Sequence, residues 1–300
     1  MPNTEELKHN IKEIIKSEMT LLISRISDDF ADNYKRKIHN WTLAEFDNVL
    51  VAHMVFVSSF ESKSGNMFQA IAKKIAKLRY GEENVPRIFK GVGVTDEEVS
   101  QFQESFNGAE QVILTKINQS ACQDFIALFK ETHKAGGRGR SRNPSTLNQE
   151  TIKEINRQNF AQTEILTSKP VDLGVYDPEN DIIHIIEIKA GGDLDSSNAP
   201  GNVIKMLTEY AALGRNNSKL YFATLYNKNG EGNNWTGVIK KYLSDEMLLI
   251  GKDFWEFLLP EHITFEDLKS LYNESNSELN INAKISELIS NIPEDEQTTL

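Results

Sequence analysis

Asp172, Glu187 and Lys189 are the residues of this chain whose types and spacing could do chemistry. Pro170-Val171-Asp172 is followed, after fourteen residues, by Glu187-Ile188-Lys189. The run from Asp181 to Lys189 carries isoleucine at 182, 183, 185, 186 and 188, and it follows Asp177-Pro178-Glu179-Asn180. A short β-branched run leaving a turn-rich tetrapeptide reads as a buried strand of a hairpin. Side chains alternate along a strand, so Glu187 and Lys189 share a face with Ile183 and Ile185. In the partner run Val171 to Tyr176, Asp172 lies with Gly174 and Tyr176. Antiparallel pairing brings Asp172 near Glu187 at the end away from the turn. Two carboxylates in an apolar hairpin repel and need a cation. Hard oxygen ligands in this number suit Mg²⁺, with the Ile188 carbonyl as a further candidate ligand. Lys189 beside them could orient or deprotonate a water, or neutralise charge on a phosphate. These are the parts of a metal-dependent phosphodiesterase.

Glu-x-Lys at a strand end is, taken alone, more often a surface ion pair. Three features favour chemistry: a strand apolar on both faces until its last turn, an Asp at hairpin distance, and Lys189 running into Ala190-Gly191-Gly192. Glycines there allow another backbone, such as a nucleic-acid strand, to come close.

At these residues the sequence resembles the PD-(D/E)XK nuclease superfamily, most of all a type II restriction endonuclease. The resemblance is clearest over residues 150 to 225, with Val171 where proline often precedes the Asp. It implies that Asp172 and Glu187 bind Mg²⁺ and that Lys189 assists the attacking water. It also implies an acidic residue from an upstream helix, for which Glu61 is the candidate. The implied activity is hydrolysis of double-stranded DNA within a short palindrome, by a homodimer that cuts both strands symmetrically. A structure-specific repair or recombination nuclease is the alternative, and a non-catalytic nucleic-acid-binding protein the rival from another class.

The elements that must position these residues follow from periodicity. An α/β fold is expected, with a mixed central sheet of four to six strands, restriction-endonuclease-like, and helical N-terminal and C-terminal regions. Apolar spacing predicts a helix from Glu5 to Ile23. Thr42 and Glu45 predict a capping-box start for a helix through Val57, and Gly65–Leu78 another. Further helices are expected after Thr95, over Ala109–Phe129 and over Gln149–Arg157. Strands are expected at Glu164–Thr167, Lys219–Leu225 and Leu248–Gly251. The loop 193–202 precedes a helix to Leu213. Residues 1–145 form a helical region supporting DNA binding or dimerisation, 146–260 the nuclease core, 261–292 C-terminal helices and 293–300 a disordered acidic tail.

The net charge of −11 argues against a nucleic-acid partner until it is mapped. Lys252–Leu300 holds eleven acidic and three basic residues, net −8, which leaves −3 for residues 1–251. His133 to Pro144 instead carries Lys134, Arg138, Arg140 and Arg142 among glycines, a mobile basic loop suited to phosphates or guanine edges. Ser196, Ser197 and Asn198 could bond phosphate oxygens or simply form a turn. The single cysteine, Cys122, excludes an internal disulfide and reads as core. His184 reads as a satisfied core histidine, and Trp235, Phe254 and Trp255 as core aromatics. There is no P-loop, dinucleotide fingerprint or Gly-x-Ser-x-Gly elbow, so no nucleotide cofactor is expected. With no signal peptide or membrane span, a cytoplasmic protein is expected.

Overall fold

The computed structural model describes residues 3–43, 46–85, 87–89, 111–113, 119–133, 146–158, 160, 171–213 and 217–290. The chain divides into two compact units, one formed by 1–75 with 260–300, the other by 76–259.

The first unit is helical. Helix α1 (Thr4–Ile38) buries Leu7, Ile11, Ile15, Met19, Leu22, Ile26, Phe30 and Tyr34. That four-residue spacing makes one stripe, and it continues past Ile23, where the sequence reading ended the helix. Asn3 caps it, accepting from the Glu6 amide at 2.8 Å. Helix α2 (Asn48–Tyr80) runs unbroken through Gly65, where two helices were expected. A single glycine costs only about 1 kcal/mol relative to alanine, less than the burial of Met67, Ile71 and Ile75 around it returns. Its cap is Asp47, whose carboxylate accepts from the Val49 and Leu50 amides, rather than Thr42, which sits in a short 3₁₀ turn. The C-terminal residues add two further helices to this unit, over Phe265–Glu278 and Ile281–Ser290. The first opens with a Thr264–Asp267 capping box and is tied to α1 by Lys8–Asp267 and Lys12–Glu278 ion pairs at 2.8 and 2.6 Å.

The second unit is α/β. Short strands β1 (Arg87–Phe89) and β2 (Gln111–Ile113) pair parallel. Helix α3 (Gln119–Thr132) follows, so the single helix expected over Ala109–Phe129 is a strand and then a helix. Gln111-Val112-Ile113 finds a β partner, and β-branched residues favour that over helix. Helix α4 is only Lys153–Arg157, because Asn148 first builds a turn by accepting from the amides of Glu150 and Thr151.

The central sheet has the order β3 (Leu173–Asp177), β4 (Ile182–Lys189), β5 (Ser218–Thr224), β6 (Leu248–Ile250). β3 is antiparallel to β4, and β4, β5 and β6 are mutually parallel, the mixed sheet expected from the sequence. Helix α5 (Ala199–Leu213) connects β4 to β5 and starts inside the stretch read as loop. Its Val203, Met206, Leu207 and Tyr210 share one core cluster with Ile183 and Ile185 of β4 and Leu220 and Phe222 of β5. On the other face of β4, His184 stacks on Tyr221 and meets the edge of Phe257. Helix α6 (Lys252–Leu258) follows β6 directly. Cys122 is buried in the same cluster as α5, and burial pushes its thiol up to about 11.

The helix expected after Thr95, the strand 164–167 and the tail 293–300 lie outside the described residues. Among the described residues, no helix is long and apolar enough to cross a membrane.

Candidate active site

The turn that closes the hairpin is built by Asp177. Its carboxylate accepts from the amides of Glu179 and Asn180, at 3.0 and 3.2 Å, and from the Asn180 side chain at 2.7 Å. Asp181 completes it in the left-handed region at φ 51°, a conformation aspartate tolerates. The resulting register sets Leu173 opposite Ile186, so Asp172 stands one residue beyond the ladder, beside Glu187. There the Ile188 amide donates to Asp172 Oδ2 at 2.9 Å.

Glu187 is 1% exposed. Lys189 Nζ donates to its Oε1 at 2.6 Å. Lys205 Nζ, from α5, donates to its Oε2 at 2.6 Å. Asp172, Glu187 and Lys189 are therefore brought together, at the C-terminal end of a parallel strand, where open α/β sheets place their ligands.

Two residues that sequence reasoning passed over complete the cluster. Lys205 bridges Glu187 to Glu209, whose Oε1 lies 3.7 Å from the ammonium. Glu209 is wholly buried, and neither carboxylate oxygen has a hydrogen-bond partner among the described residues. The signal was present: a lysine and a glutamate one turn apart are the only charges in the 15-residue α5. What the sequence lacked was the face of β4 that this turn would cover.

The electrostatics follow from burial. Burial, then the neighbouring Glu187 charge, pushes the Asp172 carboxyl up to about 6. Burial works the same way on Glu187, but the ammonium groups of Lys189 and Lys205 outweigh it and hold that carboxyl below its usual range. Burial pushes Glu209 up to about 8 against the pull of Lys205. Lys205 itself is raised: burial opposes its charge, but Glu187 and Glu209 more than compensate. Three acidic groups thus face two lysines.

The residues fit a divalent cation on this chemistry. Two hard carboxylates adjoin, and burial with the Glu187 charge holds Asp172 protonated to higher pH, a condition a cation relieves. No group of three or more His, Cys, Asp or Glu able to hold a metal occurs among the described residues. Two carboxylates are fewer than such a group, a number that leaves a divalent cation open positions for water or substrate oxygens.

The remaining expected site residues are placed as follows. Glu61 is exposed on α2 and belongs to the 1–75 and 260–300 unit, whereas Asp172 and Glu187 belong to 76–259. Ser197 and Asn198 give their side-chain donors to Asp195, at 2.6 Å each, in the turn that opens α5, and Ser196 is exposed beside them. Lys134, Arg138, Arg140 and Arg142 lie outside the described residues. Of the two glycines after Lys189, Gly191 is open, but Gly192 is packed by the chain itself: a Cβ there would meet Lys228 Cβ at 2.6 Å. The close approach expected at Gly192 is therefore made by the 226–228 segment. Trp235 Nε1 donates to the Gly192 carbonyl at 2.7 Å and locks that segment in place. His184 is buried as expected, but its Nδ1 has no hydrogen-bond partner among the described residues, a correction to its reading as satisfied. Aromatic packing and a pKa lowered to about 4 by burial keep the ring neutral.

A family model described as "Type II restriction endonuclease, HinfI" matches residues 5–276. No curated protein matches the chain, and no solved structure does. The match spans both compact units and includes every member of the carboxylate–lysine cluster. The chain belongs to the HinfI family of type II restriction endonucleases, and is a site-specific deoxyribonuclease acting on double-stranded DNA.

Proposed function

We propose that the enzyme is Mg²⁺-dependent, cuts within a short palindromic sequence and acts as a homodimer, with Asp172, Glu187 and Lys189 as its catalytic residues. The observation that carries this reading is the meeting of Asp172 and Glu187 at the end of β4, with Lys189 hydrogen-bonded to Glu187. Asp172, Glu187 and the Ile188 carbonyl would hold the cation. When bound, it supplies Lewis-acid polarisation of the scissile phosphate and charge neutralisation.

The protein's own groups do the rest. The Ile188 amide fixes Asp172 by hydrogen bonding one of its oxygens. The Lys189 ammonium, more exposed than the carboxylate it bonds, can face substrate. There it offsets charge building on the phosphoryl oxygens as water attacks phosphorus in line with the departing sugar oxygen. The apolar walls of Ile183, Ile185 and Phe222 keep the inner end of the cluster dry, which strengthens each of these interactions. Phosphate and base contacts are assigned to Lys134, Arg138, Arg140 and Arg142, on their charge and flanking glycines, and to Ser196, Ser197 and Asn198, on their exposure in the turn that opens α5.

Restriction mapping tests this directly. A plasmid digest with Mg²⁺ should give discrete bands, and chelator should abolish them. A smear or junction cutting would point to a structure-specific nuclease instead. Two-fold symmetry predicts a solution mass twice that of the 34.0 kDa chain.

A further inference from the structure

Helix α5 is apolar over most of its length, and all of its charge sits in one turn, on Lys205 and Glu209. Lys205 Nζ is 2.6 Å from Glu187 Oε2 and 3.7 Å from Glu209 Oε1, so one ammonium has two carboxylates within reach. The first is hydrogen-bonded at both oxygens; the second is wholly buried and hydrogen-bonded at neither. A buried acid without a hydrogen bond is disfavoured, and a glutamine or methionine would pack the same space. The arrangement makes sense if the partner arrives during the working cycle.

A cation held by Glu187 must displace positive charge already on that carboxylate. Lys189 lies at the strand end with its side chain 27% exposed, and Lys205 is 21% exposed. Lys205 is anchored on a helix packed against the sheet, and the other carboxyl within its reach, 3.7 Å away and one turn along the same helix, is Glu209. We propose that Glu209 is the receiving site for Lys205: the ammonium holds Glu187 aligned until a divalent cation takes that carboxylate, then shifts one helical turn to Glu209. Lys205 and Glu209 are on this view positioning residues for metal loading, neither metal ligands nor catalytic groups. The inference rests on Glu187 holding metal.

The test is a double-mutant cycle on Mn²⁺ and Mg²⁺ affinity, measured by titration calorimetry on the full chain at pH 8 without DNA. Glu209→Gln should weaken binding about tenfold, since the displaced ammonium finds no anion, a loss typical of outer-shell substitutions. Lys205→Met should bind metal at least as tightly as the natural protein. In the Lys205→Met background Glu209→Gln should then change nothing. Lys205→Gln replaces methionine in the cycle if that variant does not fold, and Lys205→Arg should retain the dependence on Glu209. Equal weakening by Glu209→Gln in both backgrounds would make Glu209 a ligand and overturn the proposal, as would no effect in either. Glu187→Gln separates the two levels. If it leaves metal affinity untouched, the metal site itself is wrongly placed. If it abolishes binding while the cycle is additive, only the Lys205–Glu209 role fails.

Discussion

Asp172 and Ile188, sixteen residues apart, are joined across the mouth of the β3–β4 hairpin by the Ile188 amide, which donates to Asp172 Oδ2 at 2.9 Å. The side chain takes a main-chain donor at the position where the ladder would otherwise end. One oxygen of the carboxylate is thereby fixed, and the strand carrying Glu187 is stitched to the segment carrying Asp172.

Asparagine at 172 can still accept that hydrogen bond but carries no charge. Asp172→Asn should therefore retain the fold, with a melting temperature equal to or above that of the natural protein, because a buried charge has gone. Its cleavage rate should fall ~10³-fold or more. Scanning fluorimetry and plasmid cleavage on one preparation check both halves. A melting temperature well below that of the natural protein, with cleavage retained, would contradict them.

Lys189→Ala removes one of two ammonium groups on Glu187 and leaves Lys205 in place. Cleavage should drop by on the order of 10²–10⁴-fold, while specific DNA affinity, read by fluorescence anisotropy, stays within a few-fold. A variant that cuts at the normal rate would remove Lys189 from the mechanism.

The Glu209 carboxyl ionises at about 8 in the folded protein, against an ordinary value of 4.5. Between those values the folded state binds the extra proton. Its contribution to stability is complete below 4.5, declines as pH rises and is lost above about 8. The groups facing it are Lys205 on its own helix, Glu187 and Lys189 on β4, and Asp172. Glu209→Gln cannot ionise, so it should gain on the natural protein across this window, by on the order of a few kcal/mol at pH 9. Urea unfolding at pH 5, 7 and 9 measures it, and parallel pH profiles for the two proteins would refute it.

Trp235→Phe keeps one aromatic ring of the indole but removes the other and strips the donor from the buried Gly192 carbonyl. A loss of roughly 1–3 kcal/mol is expected, the cost of an unsatisfied buried acceptor, seen as a lower urea midpoint at unchanged slope. Since Gly192 follows Lys189 so closely, cleavage should weaken as well, through looser placement of the strand end. An unchanged midpoint would show that the indole bond contributes nothing.

Much of this site was legible before any fold was known. A strand has a two-residue period whatever surrounds it, so Glu187 and Lys189 had to share a face, and the Asp177–Asp181 turn set which residue of β3 met which of β4. Helix limits were less legible. The α1 stripe continues through Ile26, Phe30 and Tyr34 across a polar stretch, and Gly65 leaves α2 unbroken. In both, packing overrode local propensity. The strand at Gln111–Ile113 was missed because its partner, Arg87–Phe89, lies more than twenty residues away.

The amino-acid order by itself determined the local chemistry: a hairpin, two carboxylates and a lysine at its open end, since alternation and turn geometry act over a few residues. Tertiary structure alone decided that α5 would lie on the face bearing Glu187, and so that Lys205 would clasp it and that Glu209 would be buried without a hydrogen bond among the described residues. It alone decided that Gly192 would be packed by the chain's own Lys228. The reason is that burial and charge proximity, which set the protonation of Asp172, Glu187 and Glu209, depend on distances between residues far apart in the chain.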